Sequence, residues 1–173
     1  PKAERAAAAG PSTAAGTVTF DLSALRADPK DLLRLVQLDA TPGDSSVTPA
    51  NGGLRFEATV AGSSRICTGR FGVRGPGVAR AHVRVPTLAP GAAKWQTLRL
   101  DAGFFGDDHK PVLEGGKPAS SGVDVPASAA WAWIELPIEP PEGTAEVQVC
   151  LRFAKSTGVA EIDRLEAKGG AGR

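Results

Sequence analysis

The sequence predicts an all-β protein, an antiparallel jelly-roll β-sandwich with one short helix. Segments of alternating apolar and polar residues recur at intervals of about ten residues, the spacing typical of sandwich strands. Of the 173 residues, 21 are Gly and 14 are Pro, so about a fifth of the chain favours turns. No helical segments alternate with the strands, which excludes a doubly wound α/β fold.

The length and composition predict one folded domain. A chain near ~150 residues buries roughly two-thirds of its unfolded surface as a single domain. Residues 1–16 are rich in Ala, Gly, Pro and Ser and have no apolar face, so we expect a flexible leader that tethers the domain. The predicted β-sandwich spans 17–168, and 169–173 form a flexible tail.

The predicted strands follow the period-two pattern of a half-buried sheet. In the second of them, Leu54 and Phe56 alternate with Arg55 and Glu57. In chain order the predicted strands are 17–22, 54–60, 65–73, 80–85, 95–101, 131–138, 146–153 and 159–167. The segments 41–53 and 106–130 have the composition of loops.

A short helix is predicted near residues 29–37. Asp28 is suited to the N-cap and Pro29 to the first helical position. The sequence LLRLVQL that follows also fits a buried strand by periodicity alone.

The charge balance and hydropathy limit the partners. Twenty Lys and Arg against nineteen Asp and Glu give a net charge of +1, so we do not expect nucleic acid as a partner. No apolar stretch reaches the ~18 residues of a membrane span, and we expect none in this chain.

The two cysteines, Cys67 and Cys150, lie far apart in strand-like segments. They lack the paired spacing of a zinc site. An even count in a chain of secreted appearance favours one long-range disulfide. The alternative is two unpaired small hydrophobic side chains.

The second half of the chain carries a recognisable succession of phrases: FFGDDHKPV, WIELPIEPPEGTAEVQVCLRF and STGVAEIDRLEA. It resembles the galactose-binding-like jelly rolls, which include several families of non-catalytic carbohydrate-binding modules, over residues 98 to 167. The residues that match the pattern are Trp133, Pro141, Glu142, Gly143, Thr144, Gly158 and Asp163. The resemblance implies a β-sandwich that hosts sugar binding, protein docking or an appendage role in a larger enzyme.

A saccharide site needs aromatic platforms beside hydrogen-bonding side chains, because sugar rings present apolar C–H faces next to hydroxyls. Trp95 and Trp131 fall opposite the aliphatic rows of their strands, and each is followed four residues later by a polar residue, Arg99 or Glu135. We therefore predict that these four residues bind a polysaccharide or glycan on one strand face. The alternative is that the indoles close the end of the core and the polar residues are solvated.

Asp163 is predicted on the same strand face as Val159 and Leu165, where a carboxylate needs a partner. One candidate is a structural calcium ion, with Glu161 supplying further oxygens. The other is a hydrogen bond from backbone amides of the first strand.

Catalysis has little support in the sequence. Gly43, Asp44 and Ser45 resemble the nucleophile block of GDS-type esterases, but the matching Asp-x-x-His is absent, since Gly106 stands three residues before His109. We expect a non-catalytic carbohydrate-binding module of a secreted or cell-envelope protein, extracellular or periplasmic, tethered to a larger parent protein or envelope assembly. The alternative is a structural or protein-interaction domain without a sugar ligand.

Overall fold

Two antiparallel β-sheets pack face to face in the computed structural model, which describes residues 12–14, 17–21, 37–39, 43–50, 52–73 and 75–169. These residues contain fifteen strands and no helix. The strands are β1 (Ser12–Ala14), β2 (Thr17–Asp21), β3 (Gln37–Asp39), β4 (Ser45–Ala50), β5 (Gly53–Ala58), β6 (Ser63–Cys67), β7 (Phe71–Gly72), β8 (Gly77–Ala89), β9 (Leu98–Phe105), β10 (Leu113–Glu114), β11 (Lys117–Pro118), β12 (Ser120–Asp124), β13 (Ser128–Ile138), β14 (Glu146–Ala154) and β15 (Thr157–Gly169).

Sheet A is built around β15. This long strand pairs with β8 along one edge, and β8 pairs in turn with β13. Along its other edge β15 pairs with β2 and β5, which continue to β1 and β4. Sheet B has the order β12-β9-β14-β6-β3, with β7 also paired to β14, and β10 and β11 form a separate hairpin.

The core lies between the two sheets, as the predicted alternation requires. In β9 the buried side chains are Leu98, Leu100, Ala102 and Phe104. Phe56 of sheet A meets Phe153 of sheet B with their ring centroids 4.9 Å apart. The all-β prediction is confirmed, and the polar residues between the buried ones lie on the two outer faces of the sandwich.

A β-bulge in β15 separates the faces on which Asp163 and Leu165 lie. The register with β8 shifts between Ile162 and Arg164, so Asp163 is an extra residue in that strand. Its carboxylate contacts His82 on the outer face, whereas Leu165 is buried in the core. The prediction that Asp163 and Leu165 share a face is therefore wrong, because the bulge reverses the alternation after it.

Several predicted element boundaries also change. The helix predicted at 29–37 is not confirmed, because 29–36 lie outside the described residues and Gln37 begins β3. Within the predicted leader, Ser12–Ala14 forms β1 and pairs with β2. The rest of the leader and the tail beyond Gly169 lie outside the described residues.

The two predicted loops contain strands. Segment 41–53 includes β4, and segment 106–130 includes β10, β11, β12 and the start of β13. These strands are short or lack a clean alternation, so periodicity does not reveal them. In the part of the chain that the structure describes, no helix is long and apolar enough to cross a membrane.

Candidate functional site

The four residues predicted to form one saccharide-binding face lie in three places. Glu135 and Trp131 belong to β13 in sheet A, and Arg99 belongs to β9 in sheet B. Trp95 precedes β9, which begins only at Leu98. The prediction that one strand face carries all four residues is therefore wrong. Long-range pairing decides which strands share a sheet, and the sequence pattern does not show it.

Trp95 lies in the connection between β8 and β9. This connection is a tight turn, in which the amide of Gln96 donates to the carbonyl of Ala93 and the amide of Gly91 to that of Gln96. The indole is 50% exposed, and the Lys155 ammonium lies 5.6 Å from its ring centroid. Trp95 is thus an exposed aromatic residue away from the other predicted site residues.

The outer face of sheet A carries a row of planar groups that we call the aromatic ladder: Arg84, Trp131, His82, Trp133 and Arg80. The His82 ring lies 5.1 Å from Trp131, with 23° between the planes, and 4.9 Å from Trp133, with 34° between them. The guanidinium carbons of Arg84 and Arg80 lie 5.5 Å and 4.4 Å from the centroids of Trp131 and Trp133. Cation–π attraction and ring stacking therefore run along the row.

Carboxylates of β15 hold the β8 side of the aromatic ladder. Arg84 forms an ion pair with Glu161 at 2.6 Å and Arg80 with Glu166 at 2.7 Å, and His82 Nδ1 lies within hydrogen-bond distance of Asp163 Oδ1, at 2.8 Å. Each ladder residue of β8 is thus fixed between an acid on one neighbouring strand and an indole on the other. Trp131 and Trp133 thus pack against side chains of β8, and Trp133 keeps 38% of its surface exposed.

The two predicted calcium ligands lie among cations. One oxygen of Glu161 is paired with Arg84, and the other lies 3.9 Å from Arg55. The described partner of Asp163 is His82 rather than an amide of the first strand. Calcium takes about six to eight oxygen ligands, and no cluster of three or more His, Cys, Asp or Glu suited to a metal occurs among the described residues. These side chains do not fit a calcium ion in this arrangement, and a bound calcium stays a prediction.

The outer face of sheet B contains a cleft of 430 Å³, which we call the sheet B cleft. Its floor includes Ser120, Gly103 and Gln148, which lie opposite one another on β12, β9 and β14. Gly103 has no side chain, so nothing projects from the floor into the cleft at this position. A Cβ atom at Gly103 would meet only the ring of Phe105 within 4 Å, at 3.5 Å, so the space above the floor is open.

One end of the sheet B cleft is formed by Asp101, Arg152 and Arg65. The Nε of Arg152 donates to Asp101 Oδ2 over 2.6 Å. The Nε of Arg99 lies 3.4 Å from the other carboxylate oxygen, and a terminal nitrogen of Arg99 lies 3.0 Å from Asp124. Asp101 is therefore held between two guanidinium groups, and it orients Arg152 along the cleft.

The other end is formed by Phe105 and Arg70. The guanidinium carbon of Arg70 lies 3.8 Å from the Phe105 ring centroid. One of its terminal nitrogens donates to the carbonyl of His109 over 2.8 Å. Because both partners are neutral, they fix the orientation of Arg70 without cancelling its charge.

The turn at 106–110 places the carbonyl that Arg70 uses. The amide of His109 donates to Gly106, and that of Lys110 donates to the Asp108 carboxylate. The hydrogen bonds from the amide and the side chain of Lys110 lower the pKa of Asp108. His109 adopts a left-handed φ of 60°, and its imidazole Nδ1 lies 2.8 Å from Glu146. Hydrogen bonds within the turn and the contact of His109 with Glu146 therefore hold this segment.

The predicted disulfide is confirmed and borders the sheet B cleft. Cys67 and Cys150 are bonded directly across β6 and β14, with Cα atoms 4.1 Å apart. Cys150 also lines the cleft. The bond therefore fixes the strand that carries Arg65, and the segment leading to Arg70, to the middle of sheet B.

Sequence reasoning missed Phe105 and Arg70. Phe105 continues the outward row of β9 after Arg99, Asp101 and Gly103, so extending the alternation past residue 101 would have found it. No sequence signal identifies Arg70, because its position depends on a turn almost forty residues away.

The esterase-like triplet is not part of a described catalytic arrangement. Ser45 begins β4, and its hydroxyl is buried without a hydrogen-bond partner in the described part of the chain. The two histidines lie apart, His82 on sheet A and His109 beside β14 of sheet B.

Solved structures share this fold. BiXyn10A CBM1 in its apo form matches with a TM-score of 0.56 and 11% identity, over 88% of this chain and 96% of that chain. The family 11 carbohydrate-binding module of Clostridium thermocellum, in complex with a β-1,3-1,4-mixed-linked tetrasaccharide, matches with a TM-score of 0.55 and 11% identity, over 93% and 100%. No protein-family model and no curated protein matches the sequence. The resemblance to carbohydrate-binding β-sandwich modules is confirmed at the level of the fold.

Proposed function

We propose that this chain is a non-catalytic carbohydrate-binding module whose ligand lies in the sheet B cleft. The observation that carries the proposal is the open floor at Gly103, between polar side chains at one end and Phe105 at the other. A volume of 430 Å³ lies within the range of about 300–1,000 Å³ usual for small-ligand sites. Such a cleft suits one polysaccharide segment that lies along β9.

The polar groups of the cleft are held in place before a ligand arrives. Gln148 donates to the carbonyl of Thr68 over 2.9 Å, and Arg152 donates to Asp101. Groups that are already fixed lose less conformational entropy on binding. The arrangement therefore favours recognition of hydroxyl groups by direct hydrogen bonds.

The proposed location is outside the cytoplasm, in an extracellular or periplasmic protein. The Cys67–Cys150 disulfide supports it, because cytosolic reductants keep most thiols reduced. Tethering through the N-terminal segment to a parent protein or an envelope assembly is part of the same proposal.

The proposal is tested by closing the floor of the cleft with Gly103→Val. The φ of Gly103 lies outside the left-handed region, and its Cβ would make only ordinary contact with Phe105, so valine should be tolerated in β9. Calorimetry against a panel of soluble polysaccharides should show binding by the wild type and its loss in the variant, with an unchanged melting temperature. Ala89→Val, at the exposed end of β8, is the matched control and should bind normally.

The same panel tests the other predictions. Trp131 and Glu135 remain a second proposed saccharide surface, and loss of binding in Trp131→Ala but not in Gly103→Val would move the site to the aromatic ladder. If the wild type binds no polysaccharide at millimolar concentration, the alternative of a structural or protein-interaction domain replaces the proposal.

A further inference from the structure

We infer that the sheet B cleft selects an acidic saccharide, one whose sugar ring bears a carboxylate or a sulfate. This inference rests on the proposed function and names its substrate class. It is carried by the charges that line the cleft and by the way in which the neighbouring residues hold them.

The charged side chains that line the cleft are mostly positive. Three arginines, Arg65, Arg70 and Arg152, line the cleft together with one carboxylate, Asp101. Of these, Arg70 has described contacts only to a ring and a carbonyl, which leave its positive charge uncompensated. The whole chain carries a net charge of only +1. Positive charge is therefore concentrated in this concave region, where low-dielectric walls focus the potential on a bound anion.

The single carboxylate does not oppose an anionic ligand. Asp101 accepts from Arg152 at 2.6 Å and from Arg99 at 3.4 Å, and its side chain is only 17% exposed. The described bond of Arg152 uses Nε, so its two terminal nitrogens remain for a ligand on the cleft side. A guanidinium presented in this way matches the geometry of a carboxylate or sulfate group.

Arg70 is held by different contacts, which also leave its guanidinium available to an anionic ligand. Its described contacts are the Phe105 ring and the His109 carbonyl, which hold the guanidinium plane without neutralising it. Along β9, Phe105 and Asp101 are four residues apart, or about 13 Å in an extended strand. Arg70 and Arg152 thus mark opposite ends of the cleft, and the open floor at Gly103 lies between them.

An acidic sugar gains more from this arrangement than a neutral one. Hydrogen bonds between ionised partners are roughly twice as strong as those between neutral groups. A neutral sugar ring in the same position would displace water from Arg70 and replace it with hydroxyl contacts only. We therefore expect the negative group to determine affinity, with Phe105 and Gln148 contacting the rest of the ring.

The test compares ligands that differ only in charge. Calorimetry is carried out with an oligogalacturonate and with its fully methyl-esterified form, and in a second arm with a sulfated galactan oligosaccharide and its desulfated form. We expect the acidic member of at least one pair to bind roughly tenfold or more tightly, the range of one charge-assisted hydrogen bond. The arm that shows the difference distinguishes carboxylate from sulfate recognition.

Charge-removing variants locate the effect. Arg70→Gln and Arg152→Gln should each lower the ratio of the affinity for the acidic ligand to the affinity for the neutral member of the pair roughly tenfold, because the charge is lost in addition to any hydroxyl contact. Arg164→Gln, on the outer face of sheet A, removes the same charge away from the cleft and is the control. Arg70 is exposed, so its variant should fold normally.

The outcomes separate this inference from the proposed function. Equal binding of the acidic and neutral members, lost in Gly103→Val, would overturn acidic selection and leave the carbohydrate-binding proposal intact. Absence of binding to every saccharide would overturn both. Acidic binding that survives in Arg70→Gln and in Arg152→Gln would also overturn the inference, because the anion would then be held elsewhere.

Discussion

Reduction of the Cys67–Cys150 disulfide should destabilise the domain strongly. The two residues are separated by 83 positions in the sequence, so the bond closes a long loop in the unfolded chain. It also joins adjacent strands beside the cleft, where Cys67 and Cys150 are both buried. Comparing the oxidised and reduced wild type changes only this cross-link and leaves every side chain in place.

The magnitude follows from the loop length. For a loop of this size the chain-entropy relation gives about 4.5 kcal/mol of stabilisation at 25 °C. For a domain of 150–250 residues, each kcal/mol shifts the melting temperature by about 2–4 °C, so complete reduction should lower it by about 9 to 18 °C. Because the bond lies beside the cleft, reduction should also weaken saccharide binding.

Scanning calorimetry with and without dithiothreitol measures the shift, and a thiol titration under denaturing conditions verifies that reduction is complete. The double variant Cys67→Ala/Cys150→Ala is the control, because its melting temperature should not respond to the reductant. A change of less than about 3 °C in the fully reduced wild type, roughly 1 kcal/mol, would refute this reasoning.

The sheet A face supports three further predictions. Trp133→Ala should lower the free energy of unfolding, measured in urea titrations, by about 1–2 kcal/mol, because the contacts of the indole with His82 and Arg80 are lost. Saccharide affinity should stay unchanged, and unaltered stability would contradict a packing role for Trp133. Asp163→Ala should cost about 1–3 kcal/mol, because it removes the hydrogen-bond partner of His82, and a neutral substitution would show that this pair does not stabilise the fold. Chelation of divalent cations should leave the melting temperature unchanged, since Glu161 and Asp163 are already paired, whereas a decrease would support the predicted calcium.

The core was predictable from the sequence because the alternation is local. Leu98 and Leu100 are buried, as their positions between polar residues require. The disulfide was favoured by the even cysteine count together with the secreted appearance of the chain. These features depend on patterns within a strand or on a count, and neither requires knowledge of which strands are neighbours.

The errors arise where the pattern is interrupted or where distant strands meet. The bulge in β15 turns Leu165 into the core while Asp163 stays on the outer face with Glu161, and nothing in the sequence VAEIDRLEA distinguishes a bulge from a regular strand. Trp95 belongs to a turn, although its alternation with Gln96 imitates a strand. The separation of Arg99 from Glu135 reflects the pairing of β9 with β14 and of β13 with β8, which is set by the whole fold.

The position of the candidate site follows from how the two outer faces use their side chains. On sheet A the indoles of Trp131 and Trp133 contact His82, and the planar groups fill the space along the strands. On sheet B the outward-facing position in the middle of β9 is Gly103, which has no side chain, so the space above it stays open. A search of the sequence for tryptophan therefore leads to the packed face. A ligand requires unoccupied volume between fixed polar groups, so Gly103 is the more informative residue, and filling it is the most direct test of the cleft.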